Sequence, residues 1–97
     1  GQQQEDPAAR PEARPKRTIV RREYETVAVG NIARFVNHQV KITPRGLPVR
    51  EGVLRRIKDG VAEVEQTVHG GKYTAYVPVD EIQSLQALIQ REVGSLP

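Results

Sequence analysis

The chain has 97 residues, of which 37% are hydrophobic and 28% charged, and it contains no Cys, Met or Trp. This length accommodates one small domain, and the lack of cysteine excludes a disulfide scaffold, a thiolate nucleophile and a sulfur-ligated zinc site. The formal net charge of +3 is a mild basic excess, and no apolar run approaches the roughly 18 residues that a membrane-spanning helix needs.

Residues 1–23 differ from the rest of the chain in composition. They contain five hydrophobic residues, three prolines spaced by four, and six basic side chains against four acidic ones. Such a segment buries too little surface to offset the entropy of ordering. We therefore predict a disordered Pro/Gln/Arg-rich linker over 1–23 and a folded domain over 24–97. The linker either keeps a tether soluble and extended or binds polyanions, through Arg10, Arg14, Lys16, Arg17, Arg21 and Arg22.

A short N-terminal helix is predicted at the start of the domain. Asn31 is a suitable N-cap, and Ile32, Phe35 and Val36 recur at the i, i+3 and i+4 spacing of an apolar helical stripe. The helix is expected to end near Asn37.

Strands follow the helix, separated by turn signals at intervals of about 12 residues, a spacing typical of hairpins in small all-β domains. The turns are Pro44–Pro48, Asp59-Gly60 and His69–Gly71, and they delimit strands at His38–Thr43, Val49–Lys58, Val61–Val68 and Lys72–Pro78. In the second strand, Gly52 precedes two adjacent apolar residues, Val53 and Leu54, which interrupts the alternation. This pattern predicts a sharply bent strand that contributes to both halves of a barrel.

The last segment has two possible structures. Ile82–Leu88 is predicted as a fifth strand, which would close the barrel and cover its edges. Leu85, Leu88, Ile89 and Val93 also fit a helical stripe, so a terminal helix over Gln83–Val93 is the alternative.

The stretch from Val29 to Leu88 resembles the Sm-like fold, in which a helix caps a five-stranded, strongly bent antiparallel barrel. The resemblance is carried by the helix ending at Arg34–His38, the first strand Gln39–Ile42 and the segment Arg50–Leu54. It implies that Gly52 permits the bend and that Val77–Ile82 forms the tight turn before the last strand. Small SH3-like barrels share much of this pattern.

Two loops depart from the nucleotide-binding motifs of Sm proteins. The loop after the second strand is Lys58-Asp59-Gly60, without the Asn and the stacking residue of the family, and the turn before the fifth strand, Pro78–Glu81, is acidic where the family is basic. Acidic groups repel phosphate, so neither nucleotide contact is carried over to this chain.

Residues for catalysis or metal binding are sparse. His38 and His69 are 31 residues apart and have no cysteine to complete a site. Glu63 and Glu65 share a strand face, which a solvated outer surface explains better than a catalytic carboxylate pair, and Ser84 lacks a nucleophile elbow. We predict no enzyme activity, no cofactor and no metal site.

These observations predict a non-enzymatic binding or assembly module that contacts a protein partner, or a second copy of itself, through strand edges. The absence of Met at position 1 indicates a piece of a longer protein. We expect it to be the C-terminal domain of a larger bacterial protein, cytoplasmic or, with an upstream signal or anchor, periplasmic. The candidate partner-binding residues are Tyr76, Arg55, Arg56 and Lys58.

The alternative function is nucleic-acid (RNA) binding through the linker and the same three basic residues. Strict alternation places Arg55 and Arg56 on opposite faces of their strand. It also separates Tyr73 from Tyr76, so that one of these two tyrosines is a candidate stacking platform and the other is expected in the core.

Overall fold

The computed structural model describes residues 17–96, which form one antiparallel sheet and two short 3₁₀ helices. The strands are β1 (Arg17–Val27), β2 (Gln39–Pro44), β3 (Arg50–Lys58), β4 (Val61–Val68), β5 (Gly71–Pro78) and β6 (Ile82–Leu96). The helices are η1 (Val29–Phe35) and η2 (Val79–Glu81). Hydrogen bonding orders the sheet β1-β6-β2-β3-β4-β5. In the described part of the chain, neither helix has the length and apolar composition needed to cross a bilayer.

The predicted mainly β, antiparallel fold is confirmed, and the predicted strands β2 to β5 differ from the observed ones by at most one residue at each end. The terminal helix over Gln83–Val93 is wrong, because this segment lies within β6. Leu85 and Ala87 are fully buried at alternate positions and pair with β1 on one side and β2 on the other. The strand is eight residues longer than the predicted Ile82–Leu88.

The predicted count of five strands is wrong, because β1 adds a sixth. β1 begins at Arg17, so Arg17–Glu23 of the predicted linker pair with β6 instead. The pairing partner explains the difference: β6 is 15 residues long and extends past β2, which gives a polar segment a complementary backbone. The remainder of the predicted linker, residues 1–16, lies outside the described residues.

The predicted helix exists as the 3₁₀ helix η1, between β1 and β2 instead of before all strands. Ile32 is buried in the core, and Phe35 and Val36 pack against it as the apolar spacing predicts. The predicted cap is wrong: η1 begins before Asn31, whose backbone N–H donates to the Ala28 carbonyl at 2.9 Å.

The core lies on one face of the sheet, where it is covered by the curvature of the sheet and by η1. Its largest fully buried side chains come from β2, β3, β4 and β6. They are Val40, Ile42, Leu54, Val64 and Leu85. The predicted closed barrel is wrong, because β6 lies between β1 and β2 and does not pair with β5. The described sheet therefore has two free edges, one along β1 and one along β5.

The predicted bend in β3 is visible in its pairing. Residues 50–53 pair with β2 and residues 53–58 pair with β4, and a bulge interrupts the second register between Leu54 and Arg56. At Gly52, β3 lies so close to β4 that an added Cβ would lie 2.2 Å from the Glu65 carbonyl oxygen. Glycine is required here because only a residue without a side chain leaves space for this contact.

A two-stranded ribbon extends from the body of the sheet. β2 pairs with β6 only as far as Ala87, so the part of β6 from Leu88 onward pairs with β1 alone in the described structure. At about 3.4 Å per residue, these nine residues reach roughly 30 Å. An isolated two-stranded ribbon is marginally stable in water, so the ribbon receives less stabilisation from neighbouring strands than the body of the sheet.

Candidate binding surfaces

The four predicted partner-binding residues lie together on the face of β3, β4 and β5 that points away from the core, which we call the outer face. Tyr76 pairs with Glu63, which pairs in turn with Arg56, and Lys58 pairs with Val61 on the same face. Residues directly opposite each other in a sheet project to the same side. The sheet therefore brings the four residues onto one surface.

The predicted separation of Arg55 and Arg56 onto opposite faces is wrong. Arg55 is the extra residue in the β3 bulge, and the bulge brings both guanidinium groups to the outer face. Arg55 donates to Glu65 from Nε at 3.1 Å and from Nη2 at 2.8 Å, and Arg56 Nε lies 2.8 Å from Glu63 Oε1. Strict alternation fails because it assumes one residue per pleat, and the bulge adds a second.

Both arginines are paired with carboxylates, so the outer face is not a simple basic patch. The hydrogen bond from Arg55 lowers the pKa of Glu65, and the hydrogen bond to Glu63 raises the pKa of Arg56. Among the described residues, Lys58 is in no ion pair. This charge balance disfavours the outer face as a polyanion site, because affinity for phosphate requires uncompensated positive charge.

The two tyrosines of β5 flank the free edge of the sheet. Tyr76 is 66% exposed on the outer face, and Tyr73 is 56% exposed on the opposite face. The prediction that one of them lies in the core is therefore wrong. Tyr73 pairs with Gln66, near the hairpin end where β4 and β5 extend past the buried residues, and so it has no core to enter.

The predicted polyanion-binding residues are only partly within the described structure. Arg10, Arg14 and Lys16 lie outside the described residues, and Arg17 is described only as the first residue of β1. Arg21 and Arg22 are exposed at consecutive positions of β1, and Arg22 Nε donates to Gln90 Oε1 at 3.4 Å. Consecutive strand residues point to opposite faces, so these two cations do not form one patch.

A polar cluster, absent from the sequence-based predictions, fastens β1 to the body of the sheet. The Tyr24 hydroxyl donates to Glu51 Oε2 at 2.9 Å, and Lys41 Nζ lies 4.3 Å from the centre of the Tyr24 ring, which is a cation–π contact. Desolvation, followed by the hydrogen bond to Glu51, raises the pKa of Tyr24. Only the pairing of β1 with β6 brings these residues together, so no local sequence pattern indicates the cluster.

A second missed contact lies on the core-side face at the base of the ribbon. Arg91 donates to both carboxylate oxygens of Glu25, at 2.6 Å from Nη2 and 2.5 Å from Nε. This two-point hydrogen bond lowers the pKa of Glu25. The contact joins residues 66 apart in sequence and fixes the relative position of β1 and β6.

Two shallow grooves border these strands, and neither contains a catalytic arrangement. One, of about 410 Å³, is lined mainly by Arg22, Asn37, His38, Gln39 and Gln90; the other, of about 420 Å³, lies along β3 and β4 beside Arg55 and Glu65. The His38 ring packs edge-on against Phe35, with centroids 5.6 Å apart. Within residues 17–96, no three His, Cys, Asp or Glu side chains are grouped as metal ligands.

Comparison with known proteins finds no matching family model, no similar curated protein and no similar solved structure. The functional interpretation of these surfaces therefore depends on their geometry and charge.

Proposed function

We propose that this chain is a non-enzymatic binding module that takes up an extended segment of a partner protein along the free edge of β5. The observation that carries the proposal is that β5 ends the described sheet while presenting an exposed tyrosine on each of its two faces. An edge strand offers unpaired backbone groups that an added strand satisfies.

The position of the tyrosines supports an added strand over a globular contact. Successive side chains of an added strand point alternately to the two faces of the sheet. Those on the outer face would lie beside Tyr76, and those on the other face would lie beside Tyr73. Tyrosine supplies a large contact area at low entropic cost, which makes it a common anchor at protein interfaces.

The charge of the surroundings favours a protein segment over a nucleic acid. Beside Tyr76, the Arg56–Glu63 pair is neutral as a unit, and Arg55 is similarly balanced by Glu65. Such a surface suits a peptide of mixed polar and apolar composition, whereas RNA binding requires a net positive groove. Binding of RNA in place of a peptide would therefore contradict the proposal.

We further propose that residues 29–88 are a divergent, open relative of the Sm-like and SH3-like small barrels. The support is a short helix before β2, a strand shared between two halves of the sheet, and the close backbone approach at Gly52. The resemblance implies that strand edges serve as contact surfaces, which agrees with the role proposed for β5.

The experiment is selection from a display library of random 12-residue peptides, followed by titration of the selected peptides against the 97-residue chain. We expect binding that Tyr76→Ala and Tyr73→Ala each weaken at least tenfold, while the control Val49→Ala, in an exposed loop, has no effect. Amide exchange of β5 should slow in the complex, since its edge groups become hydrogen-bonded.

Two results would overturn the proposal. One is that peptides bind but are insensitive to both tyrosine substitutions. The other is that labelled single-stranded RNA or DNA binds at low salt, with loss of binding in Arg55→Ala and Arg56→Ala, while no peptide is selected.

A further inference from the structure

We propose that two copies of this chain pair antiparallel through β1, on a two-fold axis that passes beside Arg22. The proposal rests on the proposed function only in treating strand edges as contact surfaces, and it concerns the opposite edge of the sheet from β5.

The free edge of β1 is suited to pairing with a further strand. It is an 11-residue strand without proline or glycine. The one irregularity in its pairing, between Ile19 and Val20, places the extra residue in β6, so β1 keeps one residue per step along its free edge. Its outer part belongs to the ribbon, where Ile19 and Val20 are 43% and 45% exposed. A ribbon of two strands gains stability from a third and fourth strand, which a symmetric pairing of two ribbons supplies.

Charge alternates along β1 in a self-complementary way. Arg21 pairs with Arg91, Glu23 with Ile89 and Glu25 with Ala87, so these three β1 side chains share the core-side face of the ribbon. Arg22 and Tyr24, which pair with Gln90 and Leu88, share the other face. On the core-side face, the positive charge of Arg21 and the negative charge of Glu23 are therefore two residues apart, at adjacent positions of that face.

A two-fold axis perpendicular to the sheet sets equivalent faces of the two strands side by side. With the axis beside Arg22, Arg21 lies opposite Glu23 of the partner subunit, and the reciprocal pair forms on the other side of the axis. Val20 then lies opposite Tyr24 of the partner subunit, again twice. Opposite charges and apolar–aromatic neighbours at directly opposed positions both stabilise antiparallel strands.

Glu23 is the appropriate carboxylate for this contact because Glu25 is already held by Arg91 within the same chain. The only opposed like charges in this register are the two Arg22 side chains at the axis. The register therefore predicts opposite effects at neighbouring positions. Removing the charge of Arg22 should strengthen the dimer, whereas reversing the charge of Arg21 or Glu23 should weaken it.

The test is a charge-swap series measured by sedimentation equilibrium on the 97-residue chain. We expect a dimer populated at about 100 µM, weakened tenfold or more by Arg21→Glu and by Glu23→Arg, and restored to within threefold in the double variant. Arg22→Gln should tighten the dimer. Circular dichroism of each variant verifies that the fold is retained, and Lys72→Glu on β5 is the matched control that should leave the dimer unchanged.

Cross-linking gives an independent measurement of the register, since the chain has no native cysteine. Arg22→Cys places two thiols opposite each other across the axis, within the Cα separation that a disulfide spans, whereas Tyr76→Cys on β5 should stay monomeric. A wild-type chain that sediments as a monomer at several hundred micromolar would overturn the proposal, and so would a double charge-swap variant that fails to recover. Peptide binding at β5 is measured separately, so either proposal can fail alone.

Discussion

Replacing Gly52 with alanine adds one methyl group at the most confined of the glycines in the described structure. The new Cβ would lie 2.2 Å from the carbonyl oxygen and 2.9 Å from the carbonyl carbon of Glu65, and 3.0 Å from Val64 Cγ1. The first two are backbone atoms of β4, so no side-chain rotation relieves the contact. To reach even 3.0 Å, the two strands must separate by 0.8 Å along this line, which is the difference between 3.0 and 2.2 Å.

Such a displacement strains the bend and the hydrogen bonds of β3 with its neighbours. Overpacking in a closely packed interior costs about 1–3 kcal/mol, and here the backbone must move, so we expect a loss of about 3 kcal/mol in the free energy of unfolding. A domain of this size is stable by roughly 4–12 kcal/mol. The variant should therefore melt about 12–24 °C below the wild type.

Urea titration followed by circular dichroism measures this effect, with Gly30→Ala as the matched control. A Cβ at Gly30 meets no atom within 4 Å, and reduced freedom of the unfolded chain should make this variant neutral or more stable by about 0.4–1 kcal/mol. An unchanged urea midpoint and slope in Gly52→Ala would show that β3 and β4 do not approach each other this closely.

Three further predictions concern the core and the two contacts that hold β1. Leu54→Ala should cost about 2–5 kcal/mol in urea titration, because it leaves a cavity at a fully buried position; a loss under 1 kcal/mol would contradict the assigned core. Tyr24→Phe should cost about 0.5–1.5 kcal/mol through the lost hydrogen bond to Glu51, and an ultraviolet pH titration should lose a tyrosine whose pKa is raised above its ordinary value. Because Arg91 lowers the pKa of Glu25, its stabilisation is fully present above pH 4.5 and is lost as pH falls through the lowered pKa; Glu25→Gln should flatten this acid limb in thermal melts, and an unchanged limb would refute the pairing.

The central hairpins could be predicted because their signals are local. Asp59 and Gly60 both adopt positive φ, 53° and 75°, as the two-residue turn between β3 and β4 requires, and this dipeptide is visible in the sequence. In β4, Ala62 and Val64 are fully buried while Glu63 and Glu65 face outward, as the alternation predicts. These features depend on neighbours a few residues away.

The candidate surfaces were predicted less well, for two separate reasons. The shared face of Arg55 and Arg56 depends on a bulge, which inserts one residue without any marker in the local pattern. The exposure of Tyr73 depends on where the core ends, which is set by the lengths of β4 and β5 relative to the other strands. The face of Arg55 and the exposure of Tyr73 are therefore set by the surrounding strands and not by the residue types.

The amino-acid sequence by itself determined the class of the domain, the strands β2 to β5 and the bend at Gly52. The tertiary structure alone decided that β1 is a strand, that β6 is not a helix, that the sheet stays open and that Tyr24 and Arg91 hold the ribbon to the body. The reason is physical: turns and alternation are short-range properties of the chain, whereas the edge strand β1 pairs with residues that follow it by 58 (Val27 with Leu85) to 79 (Arg17 with Leu96) positions. A polar segment such as Arg17–Glu23 becomes ordered only where a long neighbouring strand satisfies its backbone.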